Sequence, residues 1–134
     1  MKVTRFDPAG ELILVDGRLS SPRGEVQRQV RLVLDTGAAE TIVVPEVLDE
    51  LGYSPRDGEQ ITVMRSAVGR EQGYLTRVTR FTCLGHREDN YRVHVHDLPE
   101  GWGIEGLIGL TFLRRFNYEI RSAEGRIVVN RIVA

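Results

Sequence analysis

The sequence predicts a mostly β domain with one or two short helices. Apolar residues come in short runs or in alternation, and polar turn-forming residues separate those runs at close intervals. Helical periodicity appears only over a few residues, after Pro45 and again near Phe112. A length of 134 residues suits one domain, residues 1–134, built around a single buried core.

Taken in order, Leu12-Ile13-Leu14-Val15 runs into Asp16-Gly17 and then Arg18-Leu19. Asp-Gly tolerates the positive φ angles of a type I′ turn, so a two-residue hairpin is expected there. Ser20 to Glu25, with Pro22 and Gly24, reads as a polar loop. Val26, Arg28, Val30, Leu32 and Leu34 approximate the alternation of a half-buried strand, which leads straight into Asp35-Thr36-Gly37. Thr41 to Val44 is a β-branched run stopped by Pro45. Pro45 suits the first turn of a helix, Val47, Leu48 and Leu51 share one helical face, and Gly52 can end it in the left-handed conformation. A short helix is therefore expected over Pro45 to Leu51. Ile61 to Arg65 and Tyr74 to Leu84 read as strands around a polar segment, Ser66 to Gly73, that could form a protruding hairpin. Tyr91, Val93 and Val95 alternate with Arg92, His94 and His96, as in a strand with one apolar face. A glycine-rich loop at Gly101 to Gly106 precedes Leu107-Ile108-Gly109-Leu110. Thr111 to Phe116 is expected as a helical turn carrying Phe112, Leu113 and Phe116 inward, and Arg126 to Val133 as a final strand after Glu124-Gly125.

Composition narrows the function. Eighteen basic against nineteen acidic side chains give a net charge of −1, and a pI near 6.3 lacks the positive field of a nucleic-acid binder. No apolar run approaches the roughly 20 residues of a membrane span. Met1 to Pro8 carries charges where a signal peptide would need its apolar region. The lone Cys83 argues against a disulfide framework or a cysteine-rich zinc site, so a reducing, cytoplasmic setting is expected.

The most informative stretch is Val30-Arg31-Leu32-Val33-Leu34-Asp35-Thr36-Gly37-Ala38-Ala39-Glu40-Thr41-Ile42-Val43. It puts a carboxylate at the end of an apolar strand, in a turn of small residues followed by another apolar strand. Such a group is costly to ionise unless neighbours stabilise its charge, which turn amides can do. Asp and Gly are also common in plain tight turns between strands, and that reading stands beside the chemical one.

Leu34 to Val43 resembles the active-site strand and loop of the retropepsin-like aspartic proteases: an apolar residue, Asp-Thr-Gly-Ala, two variable residues, then Thr and an apolar strand. Gly106 to Phe116 is similar to that family's second signature, an apolar pair and a glycine followed by a helical turn. The resemblance spans roughly Leu12 to Val129. It implies an all-β, closed β-barrel-like acid-protease domain over residues 1–134, acting as an aspartic endopeptidase on extended peptides. The family's chemistry needs two carboxylates sharing one proton around one water, one ionised to take a proton and one protonated to polarise the scissile carbonyl. This chain carries one Asp-Thr-Gly and no second copy, so the resemblance implies a homodimer with Asp35 of each subunit beside the two-fold axis.

By the same resemblance Asp35 is the catalytic carboxylate and Thr36 turns its hydroxyl toward the partner subunit. Gly37 admits the substrate backbone and Ala38 keeps the cleft floor low. Ser66, Ala67, Val68 and Gly69 belong to a flap over the substrate, Ile108 is expected to line the cleft, and Gly109 allows close packing behind the active-site loop. No cofactor and no metal are expected. The flap stretch Met64 to Gly69 holds one glycine, which leaves a non-catalytic peptide-binding or dimerisation module of the same fold as the alternative.

His94 and His96 share one strand face at a spacing compatible with a metal pair, but without a completing ligand cluster a solvated face is the expectation. Cys83 reads as a small buried hydrophobe. Arg114, Arg115 and the arginines of Arg65 to Arg80 read as a salt-bridged surface, and Glu40 as a solvent-facing loop residue. Trp102 either anchors its loop to the core or lines a substrate pocket.

Overall fold

The computed structural model describes residues 1–57, 60–66, 69–99 and 103–133. Their strands are β1 (Lys2–Arg5), β2 (Leu14–Ser20), β3 (Gln27–Leu34), β4 (Ile42–Val43), β5 (Gln60–Ser66), β6 (Gly69–Cys83), β7 (His86–Val95), β8 (Gly106–Ile108), β9 (Phe116–Arg121) and β10 (Arg126–Arg131). Two short helices, α1 (Pro45–Leu51) and α2 (Leu110–Leu113), complete the regular structure together with two single 3₁₀ turns.

Six strands close on themselves in the order β2-β3-β8-β4-β7-β6, with β6 returning to β2 through Arg18↔Thr82 and Leu19↔Phe81. β5 hangs on the outside of β6 as the second arm of a hairpin, and β1-β10-β9 form a separate three-stranded antiparallel sheet. Closure removes the exposed edges that an open sheet of this size would present. The core lies inside this ring and beneath α1 and α2, with Leu19, Leu32, Val78, Phe81, Val93, Ile108 and Phe112 fully buried. Phe81 stacks on Tyr91 with ring centroids 5.1 Å apart, and Phe112 meets Phe81 edge-on at 5.2 Å.

Helix α1 follows its local signals. Pro45 stands in its first turn, Val47, Leu48 and Leu51 face the core, and Gly52 ends it at φ 92°. Arg28 on β3 ties this region together by reaching Glu50 at 2.6 Å and Glu105 at 2.7 Å. Helix α2 is shorter than a six-residue turn to Phe116 would be, but Phe112, Leu113 and Phe116 are all buried as expected.

Asp16-Gly17 departs from the expected hairpin turn: both residues lie inside β2, which runs unbroken past them. Gly17 serves close approach instead. A Cβ there would stand 2.8 Å from Leu32 Cδ1 and 3.3 Å from the Thr82 carbonyl oxygen, at the place where β2 is squeezed between β3 and β6. The actual β2–β3 connection is the loop over Ser21 to Val26, closed by the Ser21 amide donating to the Val26 carbonyl at 2.8 Å. Two further strands, β1 and β9, form where none was expected.

Candidate active site

Asp35 stands one residue beyond the end of β3. β3 pairs in parallel with β8, Leu34 opposite Ile108, and the Asp35 amide continues that ladder by donating to the Ile108 carbonyl at 3.0 Å. The chain then turns. Ala38 donates to the Asp35 carbonyl at 3.2 Å, and the Gly37 amide donates to Asp35 Oδ1 at 2.9 Å. That second bond closes an Asx-type turn and aims one main-chain dipole at the carboxylate. A Cβ on Gly37 would stand only 3.2 Å from the same oxygen, so glycine leaves the carboxylate its place over the turn. Asp35 itself is half-buried, whereas Thr36 and Gly37 are exposed and Ala38 half-buried.

The rear of the loop is anchored on α2. The Ala38 carbonyl accepts from the Leu110 amide at 2.8 Å and the Ala39 carbonyl from Thr111 at 2.9 Å. Gly109 lies directly beneath, where a Cβ would overlap the Glu40 carbonyl oxygen and come within 2.8 Å of that of Ala38. Its φ of −103° is ordinary, so space and not conformation requires the glycine. The loop ends at Thr41, fully buried, whose carbonyl accepts from the His94 amide at 2.9 Å.

Ile108 departs from its expected role. Its side chain is fully buried in the core, so it contributes to the site through the carbonyl that holds the Asp35 amide and not as cleft lining. Ser66 and Gly69 pair across the outer end of the β5–β6 hairpin. Ala67 and Val68, and likewise Trp102, lie outside the described residues. The strands therefore extend through most of the segment expected as a loop between Ser66 and Gly73.

The two histidines are not solvated. His94, in β7, and His96, just beyond its end, are buried, with ring centroids 6.2 Å apart. Burial holds the His94 imidazole below its ordinary pKa, the neighbouring His96 adds to this, and Glu40 opposes it. His96 Nδ1 stands 2.6 Å from the Asp97 carbonyl oxygen. Among the described residues no group of three or more His, Cys, Asp or Glu side chains is arranged to hold a metal ion. Cys83 is buried as expected, its thiol donating to the Asp16 carbonyl at 3.7 Å, and burial pushes its pKa up to about 12.

Sequence reading missed the hydroxyl cluster behind the loop. Tyr91, expected only as an apolar-face residue of its strand, places its hydroxyl 2.9 Å from Thr41 Oγ1 and 3.2 Å from Thr111 Oγ1. The Gly109 amide also donates to Thr41 Oγ1, at 3.5 Å. A buried tyrosine must find a partner for its hydroxyl, and Thr41 and Thr111 flanking the two motifs are the signal that points to one.

A closed barrel that presents an Asp-Thr-Gly turn at the end of one strand, braced by a Gly-containing strand-to-helix turn, has the architecture of an acid protease. A family model described as aspartyl protease matches residues 16–112, and the chain belongs to that family. Its fold is retropepsin-like: the crystal structure of a retropepsin-like aspartic protease from Rickettsia conorii superimposes with a TM-score of 0.69 at 17% sequence identity, covering 96% of this chain and 89% of that one. No curated protein matches the sequence. No helix among the described residues is long and apolar enough to cross a membrane.

Proposed function

We propose that the chain is an aspartic endopeptidase that works as a homodimer on extended peptides, in a reducing, cytoplasmic setting. The observation that carries this reading is the Asp35 turn: a half-buried carboxylate, oriented by the Gly37 amide, beside an exposed Thr36 and Gly37. One such turn per chain supplies half of an acid-protease centre, and the symmetric partner supplies the other half. Two carboxylates brought together on one water cannot both ionise, so the pair holds a single proton, as aspartic-protease pairs do.

In that centre the ionised Asp35 takes a proton from the water while the water oxygen bonds to the scissile carbonyl carbon. The protonated Asp35 of the second subunit gives its proton to the carbonyl oxygen. The resulting gem-diol collapses as the C–N bond breaks: the Asp35 that took the water's proton gives it to the leaving amine, and the other, now ionised, takes the proton from a gem-diol hydroxyl, which restores the singly protonated pair. Thr36 braces the partner's turn, Gly37 and Ala38 leave room for substrate backbone, and Ser66, Ala67, Val68 and Gly69 cover it. Strand-like peptide binding gives affinity through backbone hydrogen bonds and specificity through alternate side chains.

The test is a peptide-library cleavage assay across pH, run beside sedimentation at the assay concentration. Wild-type protein gives a bell-shaped rate profile and sediments as a dimer, whereas Asp35→Asn loses at least about a hundredfold in kcat without unfolding. Full activity in Asp35→Asn, or hydrolysis by a persistent monomer, overturns the proposal.

A further inference from the structure

We propose that Tyr91 is a positioning residue for the Asp35 turn, an inference that rests on the aspartic-endopeptidase reading. Its hydroxyl touches both ends of the support. On one side it meets Thr41 Oγ1, where the active-site loop re-enters the barrel as β4, and on the other Thr111 Oγ1 in α2. Those two elements are otherwise joined by main-chain bonds from Leu110 and Thr111 to Ala38 and Ala39, and by the Gly109 amide on Thr41. The hydroxyl bridge fixes the distance between them.

Tyr91 is held so that its hydroxyl has little freedom. The ring is 4% exposed, stacks on Phe81 at 5.1 Å and 13°, and meets the edge of Phe112 at 6.0 Å. The Arg115 guanidinium covers it 5.4 Å from the ring centre. Burial raises the pKa of the phenol, with the bonds to Thr111 and Thr41 opposing, so it stays protonated and keeps its donor. The three hydroxyls form a chain that runs from the fully buried Thr41 to the half-buried Thr111, and removing the middle one breaks it, leaving Thr41 Oγ1 with only the long bond from the Gly109 amide. A loop whose far end slips by a fraction of an ångström carries Asp35 with it, because only five residues lie between Asp35 and Thr41. Acid-base catalysis is sensitive to displacements of that size.

The experiment compares Tyr91→Phe with wild type and with Ile127→Val, a core change in the separate β1-β10-β9 sheet that serves as a stability control. Tyr91→Phe keeps the stacked ring and removes only the hydroxyl. Expected is a kcat about tenfold lower with KM within twofold of wild type, and faster amide hydrogen exchange at residues 36–41 but not in β2 or β10. Thr111→Val is expected to give the same exchange pattern, and Tyr91→Phe/Thr111→Val to be no worse than either single variant, since all three remove one bridge. Unchanged exchange at 36–41 in Tyr91→Phe, or loosening equal to that in Ile127→Val, overturns the proposal. The exchange readout needs no turnover: a wild-type protein that cleaves no peptide counts against the endopeptidase reading, while the exchange pattern decides the role of Tyr91 separately.

Discussion

Gly109 lies against the Glu40 carbonyl so closely that no side chain fits between them. The strand-to-helix turn at Gly109 and the loop at Asp35 are therefore a single packed unit, although 74 positions of sequence separate those two residues.

Gly109→Ala is expected to force that unit apart. The overlapping atoms are main-chain carbonyls, which cannot swing aside as a long side chain would, so the cost should reach the upper end of overpacking, about 3 kcal/mol. Gly52→Ala offers the contrast, with open space around it and only the left-handed φ of 92° to strain, at about 1 kcal/mol. Urea titrations of the two variants should separate them by that margin, with peptide hydrolysis lost in Gly109→Ala alone. Equal midpoints would refute the packing account.

Glu88 anchors a second junction of the fold. This buried carboxylate on β7 receives Arg131 from β10 at 2.8 Å and also pairs with Arg115, which follows α2. It joins the barrel to the separate three-stranded sheet. Both arginines are partly open to water and can be resolvated, so Glu88→Ala should cost about 1.5–3 kcal/mol, the range for charged hydrogen bonds, and not the larger amount of a fully buried broken pair. Thermal unfolding should show a midpoint several degrees lower. An unchanged midpoint would mean the two sheets are held by apolar packing alone.

Acid should weaken the fold through His94. Burial and the adjacent His96 favour the neutral ring, so the folded pKa lies below the ordinary value of about 6.5, with Glu40 opposing. As pH falls past that value the unfolded chain takes up the proton first, and the stability present at higher pH is progressively lost. His86, lowered by burial and by Arg131 and Lys2, acts in the same direction. Comparing urea midpoints at pH 7.5 and 5.5, the decline should be shallower in His94→Gln than in wild type. Parallel declines would remove His94 from the account.

How much of this was legible depends on how local each signal is. Helix α1 could be read to the residue because Pro45, the apolar face and Gly52 all lie within eight positions. The Asp-Thr-Gly turn was legible because its residue types are dictated by the turn itself. Asp16-Gly17 misled because the same dipeptide serves either a turn or a crowded strand, and only the approach of Leu32 and Thr82, distant in sequence, selects the second. Strand β1 is four largely exposed residues that exist by pairing with β10 at the other end of the chain. Strand β9 does alternate, through Phe116, Tyr118 and Ile120, but a helical turn extended to Phe116 obscures its start.

Within the candidate site, backbone roles escaped sequence reading more than side-chain roles. Ile108 supports Asp35 with its carbonyl while its side chain faces the core, and alternation fixes which face a residue takes only once the neighbouring strands are known. The burial of His94 and His96 has the same origin. A polar alternation marks a solvated face only on a strand that has one.

Strand β6 runs unbroken for 15 residues, about 50 Å at a rise of about 3.3 Å per residue. Its first part is an arm shared with β5, and its last part is barrel wall, sewn to β7 and to β2 at Leu19 and Phe81. The arm is thus a cantilever rooted in masonry. A load at its outer end travels down a single backbone into the seam, and the bending moment is greatest near Tyr74 and Leu75, where the grip of β5 gives way to that of β7.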